Sequence, residues 1–292
     1  WNKKNLPRLW KFKLHSFDWA RDFLEKKYLN ENIIYKNIPL EKIIDSWILE
    51  NKIGSYEGWH SYNLSLRIRN WIWLFQTFPD LIQKKRINSL WIQIKWLNLH
   101  KEEYLEGNHL LENLITLCIS SLFFSSRESE NIYRKNLKLL KRQLELQILN
   151  DGGHQERSAS YHILILDRLV ELAYIIKYFK NQKPSWLIKI IESMNKWAHI
   201  VKLSNNQFPR FNDSPIDGCP DIVTVINFAN SYLFQNKFED KTLRNIFQEI
   251  NSNNDSIIDK SLLTFKNKKI EDLKETGWTI LRPDDQFELV FK

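Results

Sequence analysis

The sequence has little of what stiffens or punctuates most small folds. Only two cysteines, Cys118 and Cys219, occur in 292 residues. They are far apart in the chain, which excludes a disulfide-stapled mini-domain and a cysteine-rich zinc module. Seven glycines and eight prolines are too few for a sandwich or barrel over most of the chain, because such folds need frequent turn signals. No apolar run reaches the roughly 18 residues of a membrane-spanning helix. There is no glycine-rich phosphate loop, no Gly-x-Ser-x-Gly elbow, no His-Glu-x-x-His and no nucleic-acid motif. The chain begins at Trp1 and its only methionine is Met194, so it is expected to be a processed or trimmed piece. These residues hold no signal-peptide pattern, although a trimmed N-terminus could have lost one, and localisation cannot be read directly.

What is present is apolar and aromatic. Hydrophobic residues make up 43% and aromatic residues 13%, with 12 Trp, 10 Tyr and 17 Phe. That is enough to bury a real core, so disorder is excluded. Some tryptophans are expected to line a cleft, since flat aromatic faces suit sugar rings as well as packing. Forty-three Lys plus Arg against 35 Asp plus Glu give a net charge of +8. Many of those lysines, as in Lys135 to Lys141, sit on polar helix faces. The charge therefore reads first as solvated surface and second as attraction to a polyanion.

The helical period dominates. Helices are expected over Asp18–Leu29, Pro39–Glu50, Tyr62–Phe78, Ile87–Leu105, His109–Phe124, Ser129–Leu149, Ser158–Phe179, Pro184–Leu203 and Asp221–Phe234. Strongly apolar helices, which are buried on all sides, alternate with amphipathic ones. No fixed repeat length points to a solenoid. The expected class is all-α, a double layer of helical hairpins whose natural closed form is an α/α toroid. Short β-like runs at Ser261–Phe265, Thr279–Leu281 and Phe287–Phe291 open a C-terminal β segment. The expected division is a helical domain over 1–255 and the start of a β domain over 256–292.

Three polar clusters interrupt the helices. Gly107-Asn108-His109-Leu110-Leu111-Glu112 opens a buried helix. Asn108 is an N-cap candidate there, and the free N–H groups of a helix start suit an anion. His109 and Glu112, three apart, share a face. Asp151-Gly152-Gly153-His154-Gln155-Glu156-Arg157-Ser158-Ala159-Ser160-Tyr161-His162 packs polar groups at the mouth of another apolar helix, where they cost desolvation energy unless paired. Phe208-Pro209-Arg210-Phe211-Asn212-Asp213-Ser214 is a polar interhelical loop. In a toroid such loops open at one end, so Asn108, Tyr161 and Arg210 are expected to share a cleft. Asp213 and Asp217 are the best acid pair for sugar hydrolysis, but they lie in one loop.

With these segments in place, the chain resembles the heparinase II/III-like family of polysaccharide lyases. Asn5-Leu-Pro-Arg-Leu-Trp10 with Leu14-His15-Ser16-Phe17-Asp18-Trp19 is similar to the family's N-terminal stretch, with Ser16 where the family has Tyr. Gly58-Trp59-His60-Ser61-Tyr62 with Ser65-Leu66-Arg67-Ile68 and Asn70-Trp71 is similar to its Trp…Tyr…Ser-x-Arg-x-x-Asn-Trp helix. Asn108-His109, and the run from Asp151 to His162, are similar to its two active-site stretches. Gly277-Trp278 to Arg282 resembles the opening of its C-terminal β-sandwich.

The resemblance implies an incomplete α/α toroid and cleavage next to a uronic acid by β-elimination. Asn108 and His109 would neutralise the uronate carboxylate so that the C5 proton can leave. Tyr161 would be the acid, and in a syn elimination also the base. Arg157 or Arg210 would be the cation that lowers its ordinary pKa near 10. Glu112, Glu156, Arg157, Arg210 and Trp59 are assigned to substrate binding. His154 and His162 remain acid–base alternatives, with packing favoured for His162. No cofactor is required, and a structural divalent metal has a place only in the rest of the β domain. The partner is an acidic polysaccharide, heparin/heparan-like, alginate-like or a bacterial exopolysaccharide, and not a nucleic acid. Export to a periplasmic or extracellular site follows from the resemblance alone. Two other readings stay open. One is a toroid glycoside hydrolase using Glu156 and Asp213. The other is a non-catalytic glycan-binding or exopolysaccharide-associated module.

Overall fold

In a computed structural model of the chain, residues 1, 3–21, 39–55, 57–105, 107–215, 219–234, 269–284 and 287–292 are described. Most of the helix expected over Asp18–Leu29, the run Ser261–Phe265, Asp217 and the boundary at 255/256 lie outside them. The described residues form nine α-helices and three strands. They divide into two compact units, one holding Trp1–Leu137 and the other everything described from Lys138 onward.

The first unit contains α1 (Arg8–Ser16), α2 (Leu40–Glu50), α3 (Ser61–Thr77), α4 (Lys84–Leu99), α5 (Gly107–Ser121) and the start of α6 (Arg127–Gln147). Helix α3 packs against α1, α4 and α5. It is buried almost all round, including Arg67, Arg69 and Asn70. Buried charge on a core helix must be paired. Arg67 donates from Nε to Gln93 Oε1 at 2.8 Å and from NH1 to the His15 carbonyl at 3.0 Å. It also lies 3.8 Å over the Trp47 ring. Asn70 donates to the Ser16 carbonyl and to Asp18 Oδ1, while His15 Nδ1 accepts from Trp47 Nε1 at 3.0 Å. The His15–Asp18 and Arg67–Trp71 segments are thus packing parts that tie the N-terminal stretch to α3. Ser16 fits that role: its hydroxyl donates to the Lys13 carbonyl and accepts from the Asp18 N–H.

Helix α1 had no counterpart in the sequence reading. The other helices described over their full length keep the expected boundaries to within a few residues, with one informative exception. The helix expected over Ile87–Leu105 stops at Leu99, and His100–Leu105 is a turn segment. The Asn113 side-chain carbonyl accepts the Glu102 backbone N–H at 2.9 Å. That bond, made from the neighbouring helix, turns the chain back before another helical turn can form.

The second unit contains α7 (Ala159–Lys180), α8 (Ser185–Val201), α9 (Ile222–Phe234) and an antiparallel sheet of β1 (Ile270–Leu273), β2 (Trp278–Asp284) and β3 (Phe287–Phe291), ordered β1-β2-β3. Helices α7, α8 and α9 pack pairwise. β1 had no counterpart in the sequence reading. Trp278 is fully buried, with its ring 5.2 Å from both Trp197 and Phe211.

The turn at residues 274–277 fastens the sheet to the polar loop before α7. Thr276 donates from its backbone N–H and its hydroxyl to the Asp151 carboxylate, and Trp197 Nε1 donates to Thr276 Oγ1. Both members of the glycine pair are required there. Gly152 has φ +90°, and a Cβ on it would meet the Ser193 carbonyl oxygen at 2.3 Å. A Cβ on Gly153 would lie 2.0 Å from Thr276 Oγ1.

Candidate active site

In the first unit, Gly107 takes φ +63°, a value glycine adopts without a steric penalty. The helix starts there, so Asn108 sits inside the first turn of α5 rather than at the N-cap. His109 follows it. Its Nδ1 lies 3.0 Å from Glu102 Oε1, and its ring stacks on Tyr62, with centroids 4.3 Å apart. The Glu102 side chain is 3% exposed and that of His109 is 38%. Glu102 is held by Asn113, which donates to its Oε2 at 3.3 Å and to Ser65 Oγ at 3.0 Å. His60 Nε2 stands 3.9 Å from the same Glu102 oxygen, and burial lowers the pKa of its imidazole.

A carboxylate only accepts, so Nδ1 of His109 carries a hydrogen and Nε2 is left for a ligand. Glu102 was missed in the sequence because its stretch read as helix continuing to Leu105. The signal that could have found it is Lys101-Glu102-Glu103, three charges interrupting the apolar spacing.

Glu112 is placed elsewhere. It is fully buried, with Oε1 3.6 Å from Arg69 NH1, both side chains at 0% exposure. The acid beside His109 is Glu102. Trp59 is also buried, with its Nε1 donating to the Asn51 carbonyl at 3.2 Å and its ring edge-on to Trp96. It contributes to the wall of a cleft of about 680 Å³, with Trp47, Lys52, Lys84 and Lys85.

In the second unit, Ser158 is the N-cap of α7. Its Oγ accepts the Tyr161 N–H at 3.2 Å and donates to the Asp213 carbonyl at 2.7 Å. Ser214 Oγ accepts the Ala159 N–H and donates to the Phe211 carbonyl. Asn212 Nδ2 reaches the carbonyls of Glu156 and Arg157. Helix start and interhelical loop are therefore stitched together, and the Tyr161 hydroxyl donates to Asp213 Oδ2.

Among the described residues, the charged groups that act on Tyr161 are Asp213 and Glu156. Burial, then the hydrogen bond to Asp213 and the two negative charges, pushes the phenol pKa above its ordinary value. This reverses the direction expected from a cationic neighbour. Arg157 precedes α7 with φ +53°, so it does not share a helical face with Tyr161. Its NH2 donates to the Glu275 carbonyl at 3.3 Å. Arg210 lines a different cleft, of about 280 Å³, with Phe208, Cys219 and Asp221.

The two remaining histidines of this motif are packing groups. His154 Nδ1 accepts the Glu156 N–H, so Nε2 carries the hydrogen and donates to Gln147 Oε1. Burial pushes its pKa down to about 4. His162 is fully buried on the Met194 carbonyl and against Trp197, and burial pushes it down to about 3. Among the described residues no three His, Cys, Asp or Glu side chains cluster as metal ligands would. No helix among them is long and apolar enough to cross a membrane.

Comparison with known proteins bears on the fold and the family. A heparin-sulfate lyase from Bacteroides stercoris is 21% identical over 181 residues, 59% of this chain and 27% of its own length. A crystal structure of heparinase III superposes with a TM-score of 0.65 at 19% identity, covering 80% of this chain and 38% of that one. A mutant of the heparan sulfate lyase HepC from Pedobacter heparinus gives 0.62 at 17%, covering 99% and 45%. This chain therefore spans about a quarter of the length of the curated relative and less than half of these solved structures. At such identities the structures speak for the fold, the incomplete α/α toroid of helical hairpins followed by a short β segment. The match that decides kinship is broader: the Heparinase II/III N-terminus family aligns with residues 8–238, most of the sequence, and the chain belongs to that family.

Proposed function

We propose that the protein is a polysaccharide lyase that cleaves a uronic-acid-containing acidic polysaccharide by β-elimination. The relatives named as heparin- and heparan-sulfate lyases make a heparan-like chain the first substrate to try. Alginate-like and bacterial exopolysaccharide uronates are the next. The net charge of +8 suits such a polyanion.

In this reading Asn108 and His109 bind the uronate carboxylate. The negative charge that builds on it as the C5 proton leaves is stabilised by the Asn108 amide and by a His109 ring carrying hydrogen on both nitrogens, Nδ1–H on Glu102 and Nε2–H on the substrate, an effect commonly worth several kcal/mol. Glu102 keeps the His109 ring turned so that Nε2 meets the substrate. Tyr161 handles the protons at C5 and at the leaving O4, a contribution of roughly 10² to 10⁴ in rate.

The observation that carries the reading is the His109–Glu102 pair. A partly exposed imidazole, backed by a buried carboxylate and laid on Tyr62, is arranged to engage an anion. The hydrolase reading has less support, because Asp213 is already the acceptor for Tyr161.

The test is to incubate the full-length protein with heparan sulfate, alginate and uronate-containing exopolysaccharides. Rising ultraviolet absorbance, from a C4=C5 bond conjugated to the carboxylate, supports the lyase. New reducing ends without that absorbance would overturn it. Export to the periplasm or the cell exterior belongs to the same proposal.

A further inference from the structure

We propose that Asp213 is the proton partner of Tyr161, a positioning residue that holds the phenol hydrogen and exchanges it during turnover. This rests on the lyase reading above and deepens it.

A tyrosine that must accept the C5 proton has to dispose of its own. Among the described residues no cation acts on Tyr161 to stabilise a free phenolate; its charged neighbours, Asp213 and Glu156, are both acidic. The phenol instead donates to Asp213 Oδ2. The placement of that carboxylate is built in. The Asp213 carbonyl accepts from Ser158 Oγ at 2.7 Å and from Ser160 Oγ at 3.4 Å. Ser158 is also the N-cap that starts the helix carrying Tyr161. Donor and acceptor hang from one serine, so their separation is set by the local fold rather than by two free side chains.

The balance of the step is complete. The C5–H bond breaks and its proton goes to Tyr161 Oη, as the phenol's own proton passes to Asp213 Oδ2. The C5 electron pair forms the C4=C5 bond and the C4–O4 bond breaks. The O4 oxygen takes a proton from Tyr161 Oη, and Asp213 returns its proton to the phenol. Substrate and products differ only by the elimination, and the protein ends as it began. Asp213 never touches the sugar.

The experiment uses the full-length protein and the Asp213→Asn, Tyr161→Phe and doubly substituted forms. Asn keeps the size and the backbone hydrogen bonds and removes the proton-accepting carboxylate. Two readouts are taken: kcat and KM on heparan sulfate, and ionisation of Tyr161 from the ultraviolet difference between each form and its Tyr161→Phe counterpart. The expected result is a fall in kcat of tenfold or more, with KM within about twofold. The double form should be no slower than Tyr161→Phe, and the phenol should ionise at lower pH in Asp213→Asn. Unchanged kcat, multiplying losses or an unmoved phenol ionisation would overturn the proposal. If the unsubstituted protein makes no unsaturated product on any polysaccharide, the lyase reading fails separately. The phenol titration then decides the pairing by itself, an unmoved ionisation overturning it.

Discussion

Replacing Gly153 by Ala tests whether the sheet turn and the loop before α7 form one lock. The new methyl would sit 2.0 Å from Thr276 Oγ1 and 2.7 Å from Trp197 Nε1. The glycine has no positive φ, so the cost is steric and not conformational. The hydroxyl must move, and with it go the bond to the Asp151 carboxylate at 2.9 Å and the bond from Trp197 at 3.0 Å. Losing a hydrogen bond to a charged group costs about 1.5–3 kcal/mol, and orphaning the buried indole N–H a further 1–3 kcal/mol. The expected destabilisation is about 3–4 kcal/mol, near the upper end for one substitution.

Thr276→Ala removes the same two bonds without the clash. The second substitution should therefore cost little once the first is made, giving a coupling energy of about 2 kcal/mol or more. Urea unfolding midpoints of the two single variants and the double variant, read at constant m, measure this. Additive effects would refute the lock.

Other consequences follow from the same contacts. Acid should weaken the fold. His154 and His162 have folded pKa values of about 4 and about 3, against about 6.5 unfolded. Below 6.5 the unfolded chain binds protons that the native chain refuses, so stability falls as pH drops from about 6.5 towards 4. From pH 7 to 5 the loss is about 2 kcal/mol per histidine, readable from urea midpoints. Ring resonances of both histidines that titrate near 6.5 in the folded protein would contradict it. Glu112→Gln should destabilise by about 3–5 kcal/mol, because the buried Arg69 charge loses its carboxylate partner; a thermal midpoint within a degree of the unsubstituted protein would count against it. Ser158→Ala removes the α7 cap and the tie to Asp213, for about 1–2 kcal/mol. It should also lower turnover through Tyr161, and intact turnover would separate the cap from the site. Glu102→Gln should leave secondary structure unchanged by circular dichroism and cut turnover about tenfold or more, because the His109 ring loses its carboxylate anchor.

Much of the layout was legible because helical periodicity is a local signal. The apolar spacing of α5 and α7 marked them as buried, and Ser158 with Tyr161 marked a helix mouth. The remainder depends on partners distant in the chain. Gly153 reads as a turn residue, while the side chain that forbids a Cβ there is Thr276. Glu102 lies in the charged run Lys101-Glu102-Glu103, which the helical reading carried through to Leu105, and is turned out of the helix by Asn113. Asp213 looks like half of a hydrolytic pair until the Ser158 tie brings it to the Tyr161 hydroxyl. Arg157 is close to Tyr161 in sequence, yet its left-handed backbone turns it towards Glu275. The motif segments around His15 and Arg67 stand out as strongly as the active-site ones, yet in the structure they hold the core. A motif alone does not separate packing from chemistry.

The central claim is that Tyr161 moves protons in an elimination. The measurement that tests it most directly is the rate of ultraviolet absorbance gain on heparan sulfate, full-length protein beside Tyr161→Phe, with equal unfolding midpoints verified for both. The account predicts a clear rise for the unsubstituted protein and a loss of at least about a hundredfold in the variant. A variant that forms unsaturated product at a comparable rate would contradict it.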